Sequence, residues 1–445
     1  MCSIVGKFEG TQEEIGRMLK TMEHRAPDGF RIGGDKKLGL GMGRLAIIDL
    51  KSENLCLYQE NGIFLSFNGE IYNYIELKRE LEQRGWHFKT TSDTEVLMKS
   101  WREWGVKCLD KLNGMFAFAI YDGKEVFLAR DIAGEKPLYY KENPFQFASE
   151  AKALGFDCKE FLPATYAHFN LRTKELVFKK WWSFEPREID MPFAQEELEW
   201  LIQDAVMLRT RVDVPYGLYY SSGVDSSLLA TFHDFTERFT YEEGDYSQEF
   251  ALLLPKILWH LDYPTNSFSP FGLWKLAEMA SKKVKVVLSG EGADELFGGY
   301  TRYVLPHFNY EAQKKFPSYK TMFEPAKSVN ESGWEEFNGN LRELLRMGDR
   351  MTSAFGIENR CPFLDRRIIE FAFSMPMNLK IWGLDTKIIL NRILKKRNPE
   401  YKPIEKKGLF IPANRWLGLE EKYGTYGKEG WLKVQRELWN SLPLS

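Results

Sequence analysis

The chain has 445 residues, 44% of them hydrophobic and 28% charged, which is the balance of a globular protein with material for two or three domains. Its 61 basic residues against 63 acidic ones give a net charge of −2, so the charge balance excludes a strongly polyanion-binding protein and predicts no nucleic-acid partner. Five cysteines without CxxC spacing and six scattered histidines predict neither a disulfide framework nor a zinc site and favour a cytoplasmic location, and no apolar run is long enough to place the chain in a membrane.

The first part of the chain is predicted to be rich in strands, with amphipathic helices between them. Two apolar runs end at Asn-Gly and Asp-Gly turn signals, and a third run follows the second closely enough to pair with it as a hairpin. Strands covered by helices predict a layered sandwich. The predicted strands are 63–67, 115–121 and 125–130, and the predicted helices are 74–84 and 94–104.

A polar stretch with two prolines, 183–192, is predicted to be a linker, which gives domains at 2–182 and 193–445. Beyond it strands and helices alternate, and this predicts a parallel sheet with ligands at the carboxyl ends of its strands. From residue 311 onward the pattern is mostly helical. The predicted strands are 215–220 and 284–288, and the predicted helices are 195–208, 226–233 and 271–281.

Cys2 directly follows Met1. Removal of Met1 would give Cys2 a free α-amine, whose ordinary pKa of about 7.7–8.0 lies near the thiol value of about 8.5. A nucleophile that carries its own base is an established catalytic device. A cysteine at position 2 without a catalytic role is the alternative interpretation of this feature alone.

Five further patterns stand in register with Cys2. They are RAPDG at 25–29, GRLAIID at 43–49, FNGEIYN at 67–73, SDTE at 92–95 and ASEAK at 148–152. Together with MCSIVG at 1–6 they resemble the class II glutamine amidotransferase domain, a member of the N-terminal-nucleophile hydrolases, over residues 2–154. The resemblance implies a four-layer αββα sandwich.

By this resemblance, Cys2 attacks the side-chain amide of glutamine, releases ammonia and is left as a thioester. The Asn68 side chain and the Gly69 N–H are expected to bind the oxyanion, an interaction worth a few kcal/mol per donor. A plain Asn-Gly turn is the alternative interpretation of these two residues.

The resemblance also implies a pocket for the rest of glutamine. Arg44 is expected to bind the α-carboxylate as a planar fork, and Asp93, with Glu70, to bind the α-ammonium. A surface salt bridge and a helix cap are the alternatives for Arg44 and Asp93. Ala26 replaces the glycine usual in this family, and we expect glutamine binding to survive that change.

The sequence YSSGVDSS at 220–227 follows a predicted strand and opens a helix, so its N–H groups and hydroxyls are suited to an anion. It lacks the GxxxxGK[ST] pattern of a Walker A loop. It resembles the PP-loop of ATP pyrophosphatases (adenine nucleotide alpha hydrolase-like fold), with Ser222 in place of the usual first glycine. The residues expected to bind ATP or pyrophosphate are Ser221, Ser222, Gly223, Asp225, Ser226, Ser289 and Gly290.

SGEGADELFGGY at 289–300 resembles a segment of asparagine synthetase almost residue for residue. By that resemblance, Asp294 joins Asp225 in holding Mg²⁺, and Glu291 orients or deprotonates the incoming ammonia. A capped loop with surface acids is the alternative interpretation.

Four later segments resemble the same family: DRM at 349–351, GIENRCPFLD at 356–365, TK at 386–387 and PIEKKGLFIP at 403–412. In the last of these, Lys406 is expected to stabilise the charge on the α-phosphate and the leaving pyrophosphate. Lys407 is the alternative, and a solvated turn is the other interpretation of both lysines.

Only 294 − 225 = 69 positions separate the two aspartates, which is fewer than is usual in the family. We therefore expect the second domain to be shortened between residues 231 and 262, by about one strand–helix unit after a strand at 237–241 that helps to hold adenine. Tyr263 stands where the family often has glutamate.

The sequence thus predicts a glutamine-dependent ligase that adenylates aspartate with Mg-ATP and forms asparagine, AMP and pyrophosphate. Two alternatives stay open: amidation of another carboxylate, on a sugar acid or a peptide, and a glutaminase-competent protein whose synthetase domain is inactive. The expected partners are small-molecule substrates, and the oligomeric state is open, a homodimer included.

Overall fold

The computed structural model describes residues 1–52, 55–315, 326–402, 409, 411–425 and 427–441. In the first part of the chain the helices are α1 Gln12–Thr21, α2 Tyr74–Gln83 and α3 Asp93–Trp104. The strands there are β1 Ser3–Phe8, β2 Phe30–Gly34, β3 Leu38–Gly43, β4 Tyr58–Glu60, β5 Ile63–Ile71, β6 Gly114–Tyr121, β7 Glu125–Arg130, β8 Tyr139–Glu142, β9 Phe145–Ala148, β10 Lys159–Glu160, β11 Thr165–Asn170 and β12 Leu176–Lys180.

These strands form two six-stranded antiparallel sheets, ordered β10-β8-β9-β1-β3-β2 and β12-β11-β7-β6-β5-β4. Apolar side chains from the facing sides of both sheets pack into one interior layer. Helix α1 covers the outer face of the first sheet, and α2 and α3 cover the outer face of the second. The predicted four-layer αββα sandwich is therefore confirmed, as is the β6–β7 hairpin.

The rest of the chain contains a four-stranded parallel sheet surrounded by helices. Its strands are β13 Tyr216–Tyr219, β14 Arg238–Phe239, β15 Val286–Leu288 and β16 Glu358–Arg360, in the order β14-β13-β15-β16. The helices are α4 Ala194–Arg209, α5 Val224–Leu229, α6 Ser247–Leu261, α7 Pro270–Ser281, α8 Ala293–Phe297, α9 Val304–Lys315, α10 Val329–Asn338, α11 Asn340–Ser353, α12 Arg366–Ser374, α13 Ile388–Arg397, α14 Ala413–Trp416, α15 Glu420–Tyr423 and α16 Lys428–Ser441.

The parallel sheet and the helical C-terminal part are as predicted, with two differences. Helix α5 ends at Leu229 rather than near residue 233, because the N–H of Thr231 and of Phe232 each bond three residues back, which tightens the chain out of the α-helix. Strand β16 was not predicted, because its Glu-Asn-Arg sequence is polar and carries no strand pattern, yet all three residues are buried.

One hydrophobic core crosses from the sandwich to the parallel-sheet half. Leu45, Ile47 and Trp182 of the first half pack in the same cluster as Leu198 and Ile202 of α4. Burial of this kind contributes about 25 cal/mol per Å² of apolar surface, so the halves stabilise one another. The shared core fixes the position of the sandwich relative to the parallel sheet. Across the residues that the structure describes, no helix is long and apolar enough to cross a membrane.

Candidate active sites

Cys2 lies just before β1, where the turn after β3 approaches its side chain. The N–H of Leu45 points at the Cys2 Sγ at 3.5 Å. Burial raises the pKa of the thiol above its ordinary value, so the sulfur is protonated at neutral pH. A base must therefore remove the proton before this sulfur can act as a nucleophile.

The chain terminus lies in the same buried region. Met1 is 1% exposed, and the Nζ of Lys136 lies 2.7 Å from its Sδ. Burial lowers the pKa of the terminal ammonium to about 5, which makes an amine in this environment neutral at pH 7. A neutral amine can accept a proton. The expected base is the α-amine that Cys2 would carry after removal of Met1, and it must accept the proton of the Cys2 thiol.

Asn68 lies on β5 with its side chain completely buried. Neither its amide nitrogen nor its amide oxygen has a hydrogen-bond partner among the described residues. A buried polar group left without a partner costs about 1–3 kcal/mol, so such groups in folded proteins call for an explanation. A ligand oxygen that accepts from the amide nitrogen is the explanation that fits an oxyanion site.

Gly69 follows Asn68 where β5 and β6 approach closely. A Cβ atom at this position would stand 2.1 Å from the carbonyl oxygen of Met115, so no larger residue fits without moving the strands. The glycine keeps Asn68 and the adjacent backbone in one fixed arrangement. That rigidity suits a preorganised set of donors.

One small cavity brings together the residues expected to bind glutamine. Arg44 is anchored at its edge by donating hydrogen bonds to the carbonyl oxygens of Ile48, Asp49 and Ser52, at 3.1, 2.8 and 3.2 Å. These three carbonyls hold the guanidinium plane in one orientation, and a fixed planar fork is what the expected contact with a carboxylate requires. The predicted site residues that line the cavity are Cys2, Arg44, Gly69, Glu70 and Asp93.

Asp93 and Glu70 are two buried carboxyl groups at the end of this cavity. Asp93 begins α3 and accepts the Ile71 N–H at 3.0 Å, while burial raises its pKa to about 6. Burial, followed by repulsion from Asp93, raises the pKa of Glu70 well above its usual range. A bound ammonium would relieve both effects, which fits the predicted role.

Glu70 also has a partner that the sequence did not reveal. One carboxyl oxygen lies 3.1 Å from the Arg360 guanidinium, which belongs to β16 in the other half. The other oxygen has no hydrogen-bond partner in the described part of the chain. Glu70 thus lines the cavity and also contacts Arg360 of the other half, whereas Asp93 lines the cavity without such a contact among the described residues.

The loop at 220–223 joins β13 to α5 at the carboxyl end of the parallel sheet. The backbone N–H of Ser221 donates to the Ser226 hydroxyl at 3.1 Å, and the two hydroxyls lie 3.2 Å apart. Ser222 adopts φ = 58°, the left-handed conformation that glycine accommodates more readily. The serine replacement therefore keeps the loop conformation expected of glycine, at a cost of about 1–2 kcal/mol.

Asp225 and Asp294, from α5 and α8, both contact Lys387, a lysine to which the sequence analysis gave no role. The Nζ of Lys387 lies 2.7 and 2.6 Å from the two Asp225 carboxyl oxygens and 2.7 Å from Oδ1 of Asp294. Although burial favours the neutral amine, the two carboxylates raise the pKa of Lys387 above its ordinary value. A Cβ at Gly299 would stand 2.1 Å from the Lys387 Cε, so the glycine makes room for this contact.

This carboxylate pair suits Mg²⁺, which prefers oxygen ligands and commonly uses one or two carboxylates together with phosphate oxygens. Within the described ranges, no group of three or more histidine, cysteine, aspartate or glutamate side chains could hold a metal by itself.

Glu291 lies in the loop between β15 and α8, next to the expected nucleotide contacts Ser289 and Gly290. Burial, then repulsion from Glu295, raises its pKa to about 7. The Asn359 amide donates to one of its oxygens at 3.4 Å. A carboxyl group with a pKa near the working pH suits general acid–base chemistry. Lys406 and Lys407 lie outside the described residues.

Two family models match successive parts of the chain. The glutamine amidotransferase domain model matches residues 1–189, and the asparagine synthase model matches 197–243 and 238–425. The chain is 30% identical to asparagine synthetase [glutamine-hydrolyzing] 1 of Bacillus subtilis, over 94% of this chain and 88% of that protein. It is 33% identical to putative asparagine synthetase [glutamine-hydrolyzing] 2 of Methanocaldococcus jannaschii, over 72% and 79%.

Among solved structures, the chain resembles a glutamine phosphoribosylpyrophosphate amidotransferase from B. subtilis with a TM-score of 0.33 and 20% identity, over 52% of this chain and 62% of that one. The asparagine synthase match by itself covers more than half of the 445 residues. Together with the relatives that align along most of its length, this match shows that the chain belongs to the family of glutamine-hydrolysing asparagine synthetases.

Proposed function

We propose that the chain hydrolyses glutamine at Cys2 and uses the ammonia to convert aspartate to asparagine in the parallel-sheet half, with ATP cleaved to AMP and pyrophosphate. The observation that carries this proposal is the presence of two complementary sites in one chain. A nucleophile lies in a cavity with acidic and basic groups for an amino acid, and a carboxylate pair meets the Lys387 ammonium at the end of a parallel sheet.

In the glutaminase reaction, the α-amine of processed Cys2 takes the thiol proton as the sulfur attacks the amide carbon of glutamine. The Asn68 amide and the Gly69 N–H stabilise the oxyanion, each by about 3 kcal/mol. The C–N bond then breaks as the ammonium returns its proton to the leaving nitrogen, and ammonia departs. Water hydrolyses the thioester to glutamate and restores the thiol.

In the synthetase reaction, the side-chain carboxylate of aspartate attacks the α-phosphorus of ATP, and pyrophosphate leaves. The loop serines and glycines named above bind the phosphates, and Asp225 with Asp294 would hold Mg²⁺, which neutralises phosphate charge when bound. We propose Lys406, or alternatively its neighbour Lys407, as the cation that faces the leaving pyrophosphate.

Ammonia then attacks the acyl carbon, and AMP departs with the electron pair of the broken C–O bond. Glu291 accepts the proton that the attacking nitrogen loses. Its pKa of about 7 leaves a large ionised fraction at neutral pH, and the same carboxyl group can return the proton to solvent after product release.

A second candidate acceptor, a carboxylate on a sugar acid or a peptide, is suggested by segments of the synthetase half that this chain lacks relative to its family. The alignment with the first B. subtilis relative spans 556 positions against 445 residues here, so that relative carries segments that this chain lacks. The family match also breaks near residue 240, within the stretch we expect to be shortened. Within the described residues 240–285 the chain forms α6 and α7 and no strand.

Pyrophosphate release distinguishes the two acceptors. Purified enzyme with Mg-ATP and ammonium should release pyrophosphate rapidly with aspartate and not with glutamate, sugar acids or peptides. Release with one of the other carboxylates and not with aspartate would replace asparagine synthesis by the second candidate.

The proposal also includes the domain boundaries and the cellular location of the protein. We place the domain boundaries at 2–182 and 193–445, supported by the gap between the family matches at 189 and 197. We also propose a cytoplasmic location, in keeping with five cysteines that are all free.

A further inference from the structure

Two polar side chains that the proposed reactions do not use lie on one face of the parallel sheet. Val287 of β15 pairs with Gly217 of β13 on one side and with Asn359 of β16 on the other. Side chains of paired residues point to one face of a sheet, as do those of residues two apart along a strand. Tyr219 and Asn359 therefore share a face at the carboxyl end of the sheet.

Asn359 is 8% exposed and contacts Glu291. Its Nδ2 donates to a Glu291 carboxyl oxygen at 3.4 Å and lies 3.6 Å from the Cys361 Sγ. Because an ionised carboxylate only accepts hydrogen bonds, this contact assigns the amide nitrogen to Glu291. The amide oxygen is buried and has no hydrogen-bond partner in the described ranges, so it is suited to accept from a ligand N–H.

The Tyr219 hydroxyl is a second buried group of this kind. It also has no hydrogen-bond partner within the part of the chain that the structure describes. Burial, followed by repulsion from Glu291, raises the pKa of Tyr219 above its ordinary value, so the hydroxyl keeps its proton and is close enough to Glu291 to be affected by its charge. A protonated hydroxyl can donate a hydrogen bond to a ligand oxygen.

A glycine leaves room beside these groups. A Cβ atom at Gly348 of α11 would stand 3.3 Å from both carboxyl oxygens of Glu291 and 3.6 Å from the Asn359 Nδ2, so a larger residue would fill the space in front of them. The loop that carries Glu291 also borders on the proposed phosphate site, because a Cβ atom at Gly290 would stand 2.8 Å from the Cβ of Asp225. A ligand in this space would lie where an acceptor must react.

Buried carboxyl groups make the surroundings of the Asn359 oxygen favourable for a cation. Burial, then repulsion from Glu295, raises the pKa of Glu291 to about 7. The Cys361 thiol lies 3.8 Å from Glu291 and also contacts Glu135 of the sandwich, whose pKa burial raises to about 8. A positive charge beside the Asn359 oxygen would stabilise these carboxyl groups in their ionised form, so an ammonium suits the site better than a neutral hydroxyl.

We propose that Asn359 and Tyr219 bind the acceptor and select an α-amino acid. The Asn359 Oδ1 accepts from the α-ammonium, and the Tyr219 hydroxyl donates to the α-carboxylate, which leaves the side-chain carboxylate of aspartate to react. A sugar acid or an internal residue of a peptide carries no α-ammonium and is bound less well. This inference rests on the proposed function, because it identifies the acceptor-binding part of the synthetase site.

The test follows pyrophosphate release by the full chain with Mg-ATP and ammonium, so that glutamine hydrolysis is not needed. Three acceptors are compared: aspartate, succinate, which lacks the α-ammonium, and β-alanine, which lacks the α-carboxylate. The variants are Asn359→Leu and Tyr219→Phe. Tyr216→Phe is the matched control, because Tyr216 lies three residues earlier on the same strand, and its hydroxyl contacts the His233 Nε2 at 2.7 Å.

We expect kcat/KM of the parent for aspartate to exceed the values for succinate and β-alanine by at least about 10-fold, because each analogue lacks one charged hydrogen-bonding group. Asn359→Leu should lower kcat/KM for aspartate by about 10- to 100-fold and leave the value for succinate unchanged. Tyr219→Phe should remove the preference for aspartate over β-alanine in the same way. Glutamine hydrolysis and KM for ATP should stay near the parent values in both variants, and Tyr216→Phe should match the parent with all three acceptors.

Equal losses with aspartate and succinate in Asn359→Leu would show that Asn359 only positions Glu291, and would overturn the inference. Equal losses with aspartate and β-alanine in Tyr219→Phe would do the same for Tyr219. A parent that uses succinate as well as aspartate would also overturn the inference and would leave asparagine synthesis standing. A parent that releases no pyrophosphate with aspartate would overturn the proposed function and the inference together.

Discussion

The Lys387 ammonium lies 2.7 Å from Oδ1 of Asp294, at the point where Asp225 also converges. The lysine thus stands where the proposed Mg²⁺ would bind between the same two carboxylates. A metal held by both carboxylates would displace the Lys387 ammonium, which would then lie within reach of the phosphate oxygens of a bound nucleotide.

Replacement of Lys387 tests this arrangement without any measurement of activity. Lys387→Gln leaves two nearby carboxylates with one less positive charge between them, and we expect the free energy of unfolding to fall by about 3 kcal/mol. Millimolar Mg²⁺ should restore much of this loss in the variant and have a smaller effect on the parent. Thermal unfolding with and without Mg²⁺ measures both effects.

Lys396→Gln is the control, because Lys396 is 53% exposed and pairs with Glu199 at the surface. We expect a change of less than about 1 kcal/mol and no response to Mg²⁺. Equal behaviour of the two lysine variants would contradict the assignment of Lys387 to the metal position.

Asn68 offers a second prediction, since its buried amide has no hydrogen-bond partner among the residues that the structure describes. Asn68→Ala should lower kcat for glutamine hydrolysis by about 100- to 1,000-fold, because a preorganised oxyanion donor is lost. KM for glutamine should change little, and ammonium-dependent AMP formation should be unchanged. Steady-state kinetics on both substrates check this, and an unaltered kcat would remove Asn68 from the oxyanion site.

Asp93 should show a trade between stability and binding. Burial raises the pKa of Asp93 from 3.8 to about 6 in the folded state. Above pH 6 the folded protein must keep this buried carboxylate ionised, which lowers the free energy of unfolding. This loss of stability disappears as the pH falls from 6 toward 4, because the carboxyl group is then protonated in the folded state. Asp93→Asn should therefore be at least as stable as the parent at pH 7.5. Its KM for glutamine should rise about 10- to 100-fold through loss of a charged hydrogen bond.

Denaturant unfolding at pH 7.5 and at pH 5, together with glutamine titrations, measures these effects. The stability advantage of the variant should shrink at the lower pH. A variant that is less stable at pH 7.5 and binds glutamine normally would assign Asp93 to structure alone.

The raised pKa of Glu291 leads to a prediction for how the rate of ammonium-dependent AMP formation varies with pH. As a general base it must be ionised, and its pKa is about 7, so the rate of ammonium-dependent AMP formation should fall as the pH drops below 7. The rates must be compared at equal concentrations of unprotonated ammonia. Glu291→Gln should abolish this acidic limb, and a variant that retains it would show that another group titrates.

Local sequence patterns predicted much of the fold. The β6–β7 hairpin follows from turn residues that stand close together in the chain. The residues that line the cavity around Cys2 are spread from position 2 to position 94, and their grouping was expected from the family resemblance rather than from a local pattern. The position of Lys387 did not follow, because it depends on a contact between residues 162 positions apart. A salt bridge between Arg25 and Asp349 spans 324 positions and exists only through the packing of the halves.

The most direct test of the central claim uses protein whose N-terminus is Cys2, mixed with Mg-ATP, aspartate and glutamine carrying ¹⁵N in the amide. We predict labelled asparagine in step with AMP and pyrophosphate, abolished by Cys2→Ala and restored to that variant by ammonium. Labelled ammonia and glutamate without AMP or asparagine would contradict asparagine synthesis by this chain.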